Sequence, residues 1–240
     1  MEIFIDSANL DEIRHWVAQG VADGVTTNPS IMLKEGLCDI ERASREIAAA
    51  IGDRPLSVEV TTNEPAEMVE QGRQIASWAP NVVVKIPVIT QEGRPCLSVV
   101  RALSAEGIRV NVTAILSFNQ VVLAAKAGAA YLSIFAGRIA DEGNDAAGVV
   151  RMAVQWAERW RQGKILVGSI RSAIDVHNAA AAGAHVITVP PPLLARMVDH
   201  KYSRETVRGF NHDAAETIRE IQRRRDQRRR GNGREIRASA

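Results

Sequence analysis

Short runs of β-branched residues alternate with longer helical stretches along most of the chain, and this alternation limits the possible folds more than any other feature. It is typical of βα units whose strands form a parallel sheet. Eight parallel strands, each followed by a helical stretch, close into a barrel. The predicted strands are residues 2–6, 25–27, 56–61, 82–86, 109–114, 131–135, 165–168 and 185–189. The sequence therefore predicts an α/β protein, a (β/α)8 TIM barrel.

The length of 240 residues suits one barrel domain, and no linker divides the chain. A proline run at 190–192 follows the eighth strand, and an additional C-terminal helix is predicted to begin near Ser203. From residue 219 the chain is rich in arginine and loses apolar periodicity. We therefore expect one domain over residues 1–218, which includes the C-terminal helix, and a basic, disordered tail over residues 219–240.

Composition excludes several classes of protein. The net charge of +2 is too small to define a nucleic-acid binder, and no apolar run approaches the ~20 residues of a membrane-spanning helix. The two cysteines, Cys38 and Cys96, are too few for a disulfide scaffold, and the first six residues lack the basic and apolar regions of a secretion signal. We expect a cytoplasmic protein with no membrane and no specific nucleic-acid partner. Binding of nucleic acid or an acidic protein by the arginines of residues 219–237 is a secondary alternative.

Lys85 is the most informative candidate for a catalytic group. The chain has five lysines against twenty-five arginines, and Lys85 alone lies at the exit of a valine-rich strand. Burial there disfavours the ammonium form and is expected to lower the lysine pKa from ~10.4 toward neutrality. A neutral amine can attack a carbonyl and form a Schiff base. The alternative is that the side chain extends to solvent at the strand end.

Polar residues gather at the predicted strand exits, which meet at the C-terminal mouth of a barrel, where active sites lie. Because side chains alternate along a strand, Glu59 lies on the face of Ser57 and Thr61, and an interior position places it near Lys85. A carboxylate beside the amine can relay protons, whereas the alternative is a buried ion pair without a catalytic role. The polar residues at strand exits are Asp6, Thr26, Thr27, Asn28, Glu59, Lys85, Asn111, Thr113, Ser133 and Ser169.

Two arginines follow the sixth and seventh strands. Arg138 and Arg171 lie in loops that face the same mouth, and guanidinium groups bind tetrahedral anions through paired hydrogen bonds. Backbone amides near Ser169 are a further source of donors. The arginines predict a phosphorylated or otherwise anionic substrate, and the alternative is that both are ordinary surface residues.

Several motifs together resemble the transaldolase family, in particular its small, single-barrel branch. They are Gly24-Val25-Thr26-Thr27-Asn28-Pro29-Ser30, Val84-Lys85-Ile86-Pro87, Ala105-Glu106-Gly107-Ile108, Asn111-Val112-Thr113 and Gly137-Arg138. The resemblance covers about residues 1 to 200 and implies the roles of individual residues. Lys85 would form the Schiff base, Asp6 would be the acid/base of carbon–carbon cleavage, and Glu59 with Thr113 would position a catalytic water.

The same resemblance implies a substrate site. Asn28 and Asn111 would bind the dihydroxyacetone portion, with Ser133 beside it and Thr26 in the same motif as Asn28. Arg138, Ser169 and Arg171 match the family's phosphate-binding positions. No metal or organic cofactor is required, because the iminium is the electron sink.

The implied activity is transfer of a dihydroxyacetone unit between sugar phosphates, as in the pentose phosphate pathway. Two alternatives remain: a lyase that releases free dihydroxyacetone, as fructose-6-phosphate aldolase does, and a transaldolase for another anionic ketose such as a sulfonated sugar. The aldolase typically has glutamine at the position of Glu59, so glutamate favours transfer. The family also implies a homo-oligomer, a pentamer or decamer, in which the final helix packs on a neighbour.

The chain departs from the family at two places. Small members usually read Ser-Pro-Phe-Val-Gly-Arg around the sixth strand, whereas this chain has Ile134 and Ala136 in place of the proline and valine. Near the C-terminus the usual tryptophan after the acidic residue is missing, since Ala214 follows Asp213. These changes bear on the terminal anion and on the assembly rather than on the chemistry at Lys85.

Overall fold

The computed structural model describes the backbone of residues 1–238 and the side chains of residues 1–227. Eight parallel strands form a closed barrel in sequence order, and the first strand pairs with the eighth. The predicted α/β fold class, a (β/α)8 barrel with a C-terminal helix, is confirmed. The strands are β1 (Glu2–Asp6), β2 (Gly24–Thr26), β3 (Leu56–Glu59), β4 (Val82–Pro87), β5 (Val110–Ile115), β6 (Tyr131–Phe135), β7 (Lys164–Gly168) and β8 (Val186–Val189).

Helices follow the strands along the chain, and several begin at a side-chain cap. Asn9, Asp39, Ser117 and Asp145 each accept a hydrogen bond from a backbone N–H of the first turn, which satisfies donors that the helix itself cannot. The helices are α1 (Leu10–Ala18), α2 (Pro29–Lys34), α3 (Ile40–Ile51), α4 (Pro65–Ala76), α5 (Leu97–Ala105), α6 (Phe118–Ala127), α7 (Ala136–Asp141), α8 (Ala146–Arg159), α9 (Ala173–Ala181), α10 (Pro191–Val198) and α11 (Lys201–Ala238).

The barrel interior has an apolar floor beneath a polar upper layer. The floor consists of Phe4, Val83, Tyr131, Leu166 and Val186, all buried. Two residues further along β1 and β4, the same inward face carries Asp6 and Lys85, because side chains alternate along a strand. A separate, larger apolar cluster packs the helices against the outside of the barrel. The floor therefore closes the lower end and leaves the polar layer at the C-terminal mouth.

The chain divides into two compact units, Met1–Leu194 and Ala195–Ala240. The first unit holds the barrel, and α11 lies in the second. One domain over residues 1–218 stays a prediction. Among the described residues, no helix combines the length and the apolar character that crossing a membrane requires.

Helix α11 begins at Lys201, close to the predicted start near Ser203. Its backbone is helical through Ala238, where a disordered tail was predicted from residue 219. Arginine, glutamine and glutamate are good helix formers even without an apolar stripe, and Glu220 pairs with Arg224 one turn later at 2.7 Å. Residues 239–240 of the predicted tail lie outside the described residues.

Candidate active site

Lys85 points into the barrel and is 5% exposed. Its Nζ lies 2.9 Å from Glu59 Oε2 and donates a hydrogen bond to the carbonyl oxygen of Thr27, also at 2.9 Å. The strand register explains the pair, because Glu59 on β3 lies directly opposite Lys85 on β4. The alternative in which the lysine extends to solvent is therefore excluded, and the amine is held in the polar layer above the apolar floor.

Asp6 ends β1 beside this pair. Burial raises the pKa of Asp6 above its ordinary value; a hydrogen bond from Thr26 and the charge of Lys85 oppose that rise, and the charge of Glu59 adds to it. Thr26 Oγ1 donates to Asp6 Oδ1 at 2.7 Å and also contacts Thr188 Oγ1 at 2.5 Å. An aspartate with a raised pKa in a concave site is typical of a group that takes up and returns protons.

A buried hydrogen-bonded row crosses the mouth from β6 to β3. Ser133 Oγ donates to Asn111 Oδ1 at 2.6 Å, and Asn111 Nδ2 donates to Ser57 Oγ at 3.1 Å. All three side chains are at most 3% exposed. The two serine hydroxyls therefore hold both ends of the Asn111 amide and limit its rotation.

Among the side chains that the structure describes, the hydroxyl of Thr113 is the one in this layer without a hydrogen-bond partner. It is 1% exposed, and within residues 1–227 its Oγ1 has no hydrogen-bond partner. The next residue, Ala114, has a φ of 58°, and the register between β5 and β6 shifts at this point. Left-handed backbone at a non-glycine residue costs roughly 1 kcal/mol or more and is often found at functional sites. An unpaired buried hydroxyl is suited to hold a water or a substrate oxygen.

Asn28 lies at the rim between β2 and α2. Its Oδ1 caps α2 by accepting from the Ile31 N–H at 2.9 Å. The Nδ2 group of Asn28 is therefore the part of the side chain available to a ligand, and as a donor it can bind a substrate hydroxyl or carbonyl oxygen.

Ser169 and Arg171 follow β7 and meet the start of α7. Ser169 has a φ of 60°, and a side chain at Gly137 would lie 2.1 Å from the Ser169 carbonyl oxygen, 2.8 Å from its Oγ and 3.2 Å from Arg171 Nε. Only glycine permits this approach. The predicted anion-binding residues of the seventh loop thus gather around Gly137.

The two predicted arginines are in different surroundings. Arg171 forms a two-pronged ion pair with Asp141, in which Nη2 lies 2.6 Å from Oδ2. Arg138 is exposed, lies 5.8 Å from the centre of the Phe135 ring, and lines a groove of about 730 Å³ between α7, α8 and the loop after β5. The structure brings Arg171 to Ser169, and among the described side chains no hydrogen bond or ion pair joins Arg138 to either of them.

Sequence reasoning missed two residues of the site and gave a third no role. Thr188, a hydroxyl in an otherwise apolar run, and Asp141, three residues after Arg138, were missed, whereas Ser57 was placed on the face of Glu59 without a role. The alternation along β8 is the signal for Thr188. Asp141 had no sequence signal, because its partner lies 30 residues away on another loop.

In enzymes with a (β/α)8 barrel the active site lies at the C-terminal mouth, and this barrel carries its polar layer there. The sequence profile described as Transaldolase/Fructose-6-phosphate aldolase matches residues 3–230. The chain belongs to this family, and it is a transaldolase-type enzyme.

The names of similar proteins agree with this family assignment. A protein of Dehalococcoides mccartyi is 41% identical over 214 residues, which are 89% of this chain and 97% of that protein. A protein of Desulforudis audaxviator is 43% identical over 216 residues, 90% of this chain and 98% of that protein. Both carry the name "Probable transaldolase".

Solved structures confirm the fold alone. The thiamine phosphate pyrophosphorylase of Pyrococcus furiosus superposes with a TM-score of 0.56 at 13% identity, over 79% of this chain and 85% of that chain. A mandelate oxidase superposes with a TM-score of 0.54 at 18% identity, over 79% of this chain and 63% of that chain. Such identities carry the barrel architecture and no statement about chemistry.

Proposed function

We propose that this enzyme transfers a dihydroxyacetone unit between sugar phosphates through a Schiff base on Lys85. The observation that carries the proposal is the buried amine of Lys85, 5% exposed, with a carboxylate at 2.9 Å and a second acid at the same mouth. An amine in this position can reach a keto sugar that enters the mouth, while the apolar floor excludes water from below.

Schiff-base formation needs proton transfers beside the amine. Lys85 must give up a proton before it attacks the ketose carbonyl, and the Glu59 carboxylate at 2.9 Å is placed to accept it. The carbinolamine then loses its hydroxyl as water and becomes an iminium. The unpaired hydroxyl of Thr113 supports the proposal that Thr113 and Glu59 hold that water.

Carbon–carbon cleavage needs a base at the hydroxyl next to the breaking bond. Asp6 takes this proton, the bond electrons move into the iminium, and an aldose phosphate leaves while an enamine stays on Lys85. A second aldose then accepts the enamine, and Asp6 returns its proton to the new hydroxyl. The raised pKa of Asp6 supports this role, because it brings the acid closer to the pH at which it must both take and give a proton.

Binding of the three-carbon unit falls to the amides and hydroxyls of the upper layer. The row of Ser133, Asn111 and Ser57 and the Nδ2 group of Asn28 offer oriented donors and acceptors to hydroxyls of a dihydroxyacetone unit. Thr26 lies beside Asp6 and borders the same space.

The terminal anion is proposed to bind at Ser169 and Arg171, with Arg138 turning toward it from the rim. Backbone and side-chain groups of both loops converge on Gly137, which supports this placement. A sulfonate is the second candidate anion, since guanidinium groups bind both. A substrate panel that varies only the terminal anion decides between them.

Transfer is favoured over release of free dihydroxyacetone because a glutamate, not a glutamine, lies at 2.9 Å from Lys85. On the same basis we assign the enzyme to sugar-phosphate exchange of the pentose phosphate pathway. A cytoplasmic location is also proposed, supported by the exposed free thiol of Cys38, which is typical of reducing compartments.

We further propose a homo-oligomer, a pentamer or decamer. Helix α11 carries exposed apolar side chains at Val207, Phe210, Ile218 and Ile221, and a second copy of the chain is the proposed cover for them. Light scattering of the full chain tests this, and a monomeric mass contradicts it.

The test of the function is an exchange assay. The protein is incubated with fructose 6-phosphate and erythrose 4-phosphate, and the seven-carbon product and free dihydroxyacetone are measured together. Lys85→Met is expected to abolish both products, whereas Lys126→Met, at the exposed end of α6, leaves both unchanged. Free dihydroxyacetone at a rate similar to transfer favours the lyase, and activity in Lys85→Met contradicts the proposal.

A further inference from the structure

Two threonine hydroxyls link Asp6 to the eighth strand. Thr26 on β2 lies opposite Asp6 in the register, and Thr188 on β8 lies opposite Phe4. The two threonines therefore flank strand β1, and their hydroxyl oxygens lie 2.5 Å apart. Thr26 and Thr188 are 3% and 6% exposed, so bulk water does not compete strongly for either hydroxyl.

The chemistry of the three groups fixes the direction of the hydrogen bonds. An ionised aspartate accepts hydrogen bonds and donates none. The single hydroxyl proton of Thr26 is directed to Asp6 Oδ1 at 2.7 Å. The proton between Thr26 and Thr188 must therefore come from Thr188, and the chain runs from Thr188 through Thr26 to Asp6.

We propose that Thr188 is a positioning residue for the acid/base Asp6, acting by donating its proton to Thr26 and so holding the Thr26 proton toward the carboxylate. This inference rests on the proposed role of Asp6. A hydroxyl that accepts a hydrogen bond becomes a better donor, since bonds in a chain polarise one another. The hydrogen bond of Thr188 goes to Thr26 and that of Thr26 to Asp6, so Thr188 acts through Thr26.

The surroundings favour this arrangement. Gly24, two residues before Thr26, has no room for a side chain, because a Cβ there would lie 2.7 Å from the Phe4 ring. The ring thus fills the space beneath the threonines. The charged groups that face Asp6 are Lys85 on β4 and Glu59 on β3, while β2 and β8 contribute the two threonines. Within residues 1–227 the hydrogen bonds of Lys85 run to Glu59 and Thr27, and that of the Thr188 hydroxyl runs to Thr26.

The experiment compares Thr188→Val, which keeps the shape and removes the hydroxyl, with Thr188→Ser, which keeps the hydroxyl. The pH dependence of kcat for cleavage of fructose 6-phosphate is measured for both and for the wild type. The Thr26 hydrogen bond lowers the pKa of Asp6, so weakening it raises that pKa. In Thr188→Val the acid limb of the pH profile of kcat is expected to move to higher pH by about half a unit. At a given pH on that limb, kcat is then about three-fold lower than in the wild type. Thr188→Ser keeps the wild-type limb.

Borohydride trapping separates this inference from the proposed function. Wild type and Thr188→Val are expected to give equal yields of reduced adduct on Lys85, because Thr188 acts on cleavage and not on Schiff-base formation. The role of Thr188 is overturned if the acid limb of the pH profile does not shift in Thr188→Val, or if it shifts equally in Thr188→Ser. In either case a trapped adduct on Lys85 leaves the proposed function standing. A wild type without an adduct overturns both. If Thr188→Val does not fold, Thr188→Cys, whose thiol is a weak donor, replaces it in the comparison.

Discussion

The close approach of Gly137 to Ser169 makes a sharp prediction about anion binding. A methyl group at position 137 would lie 2.1 Å from the Ser169 carbonyl oxygen, about 1 Å inside the closest ordinary contact. The neighbour is backbone and cannot turn aside, so the seventh loop must move. Overpacking of this kind costs about 1–3 kcal/mol of stability. The displaced Ser169 and Arg171 would lose the proposed bonds to the terminal anion, each worth about 1.5–3 kcal/mol.

Gly137→Ala is therefore expected to raise KM for fructose 6-phosphate about ten-fold to a hundred-fold and to change KM for unphosphorylated dihydroxyacetone by less than about two-fold. Gly163→Ala is the matched control, because its Cβ would lie 2.3 Å from the Ala129 carbonyl oxygen at the opposite end of the barrel. The control is expected to lose similar stability and keep its KM. Equal KM values in Gly137→Ala and the wild type refute the placement of the anion site.

Substitutions at three other positions test separate parts of the site. Glu59→Gln keeps the shape but cannot accept the Lys85 proton, so transfer should fall about 100-fold, and an unchanged transfer rate by NMR contradicts the role of Glu59. Ala114→Val puts a β-branched residue at a φ of 58° and should lower the free energy of unfolding by about 1–2 kcal/mol, whereas Ala114→Gly should change it by less than about 0.5 kcal/mol in denaturant titrations. Because the folded-state pKa of Asp6 is raised, its ionised form destabilises the fold at neutral pH. Asp6→Asn should therefore raise Tm at pH 7. This gain should vanish as the pH falls below the ordinary aspartate pKa of ~3.9, where the group is protonated in both states.

Much of the fold follows from local pattern. The runs of β1 and β6 were predicted with their exact bounds, and the other strands within about two residues, because β-branched alternation bounded by glycine is a local signal. The contact between Glu59 and Lys85 also follows from sequence, since neighbouring parallel strands and a period of two place both on the inward face.

Other features depend on contacts that no local pattern encodes. Thr26 meets Thr188 across 162 residues only because the barrel closes. Arg171, in the loop after β7, pairs with Asp141 at the end of α7 only because the fold brings the two segments together. The positive φ at Ala114 also carries no sequence signal, since alanine does not favour it. The helical backbone beyond residue 219 was missed because apolar periodicity, not helix propensity, was the criterion.

Mass spectrometry of the borohydride-treated protein tests the central claim most directly. The enzyme is incubated with fructose 6-phosphate, reduced and digested, and each of the five lysine-containing regions is examined. The predicted result is the mass of one reduced three-carbon unit on the peptide that contains Lys85 and on no other. An unmodified Lys85 peptide, or a three-carbon unit on a different lysine, contradicts the account.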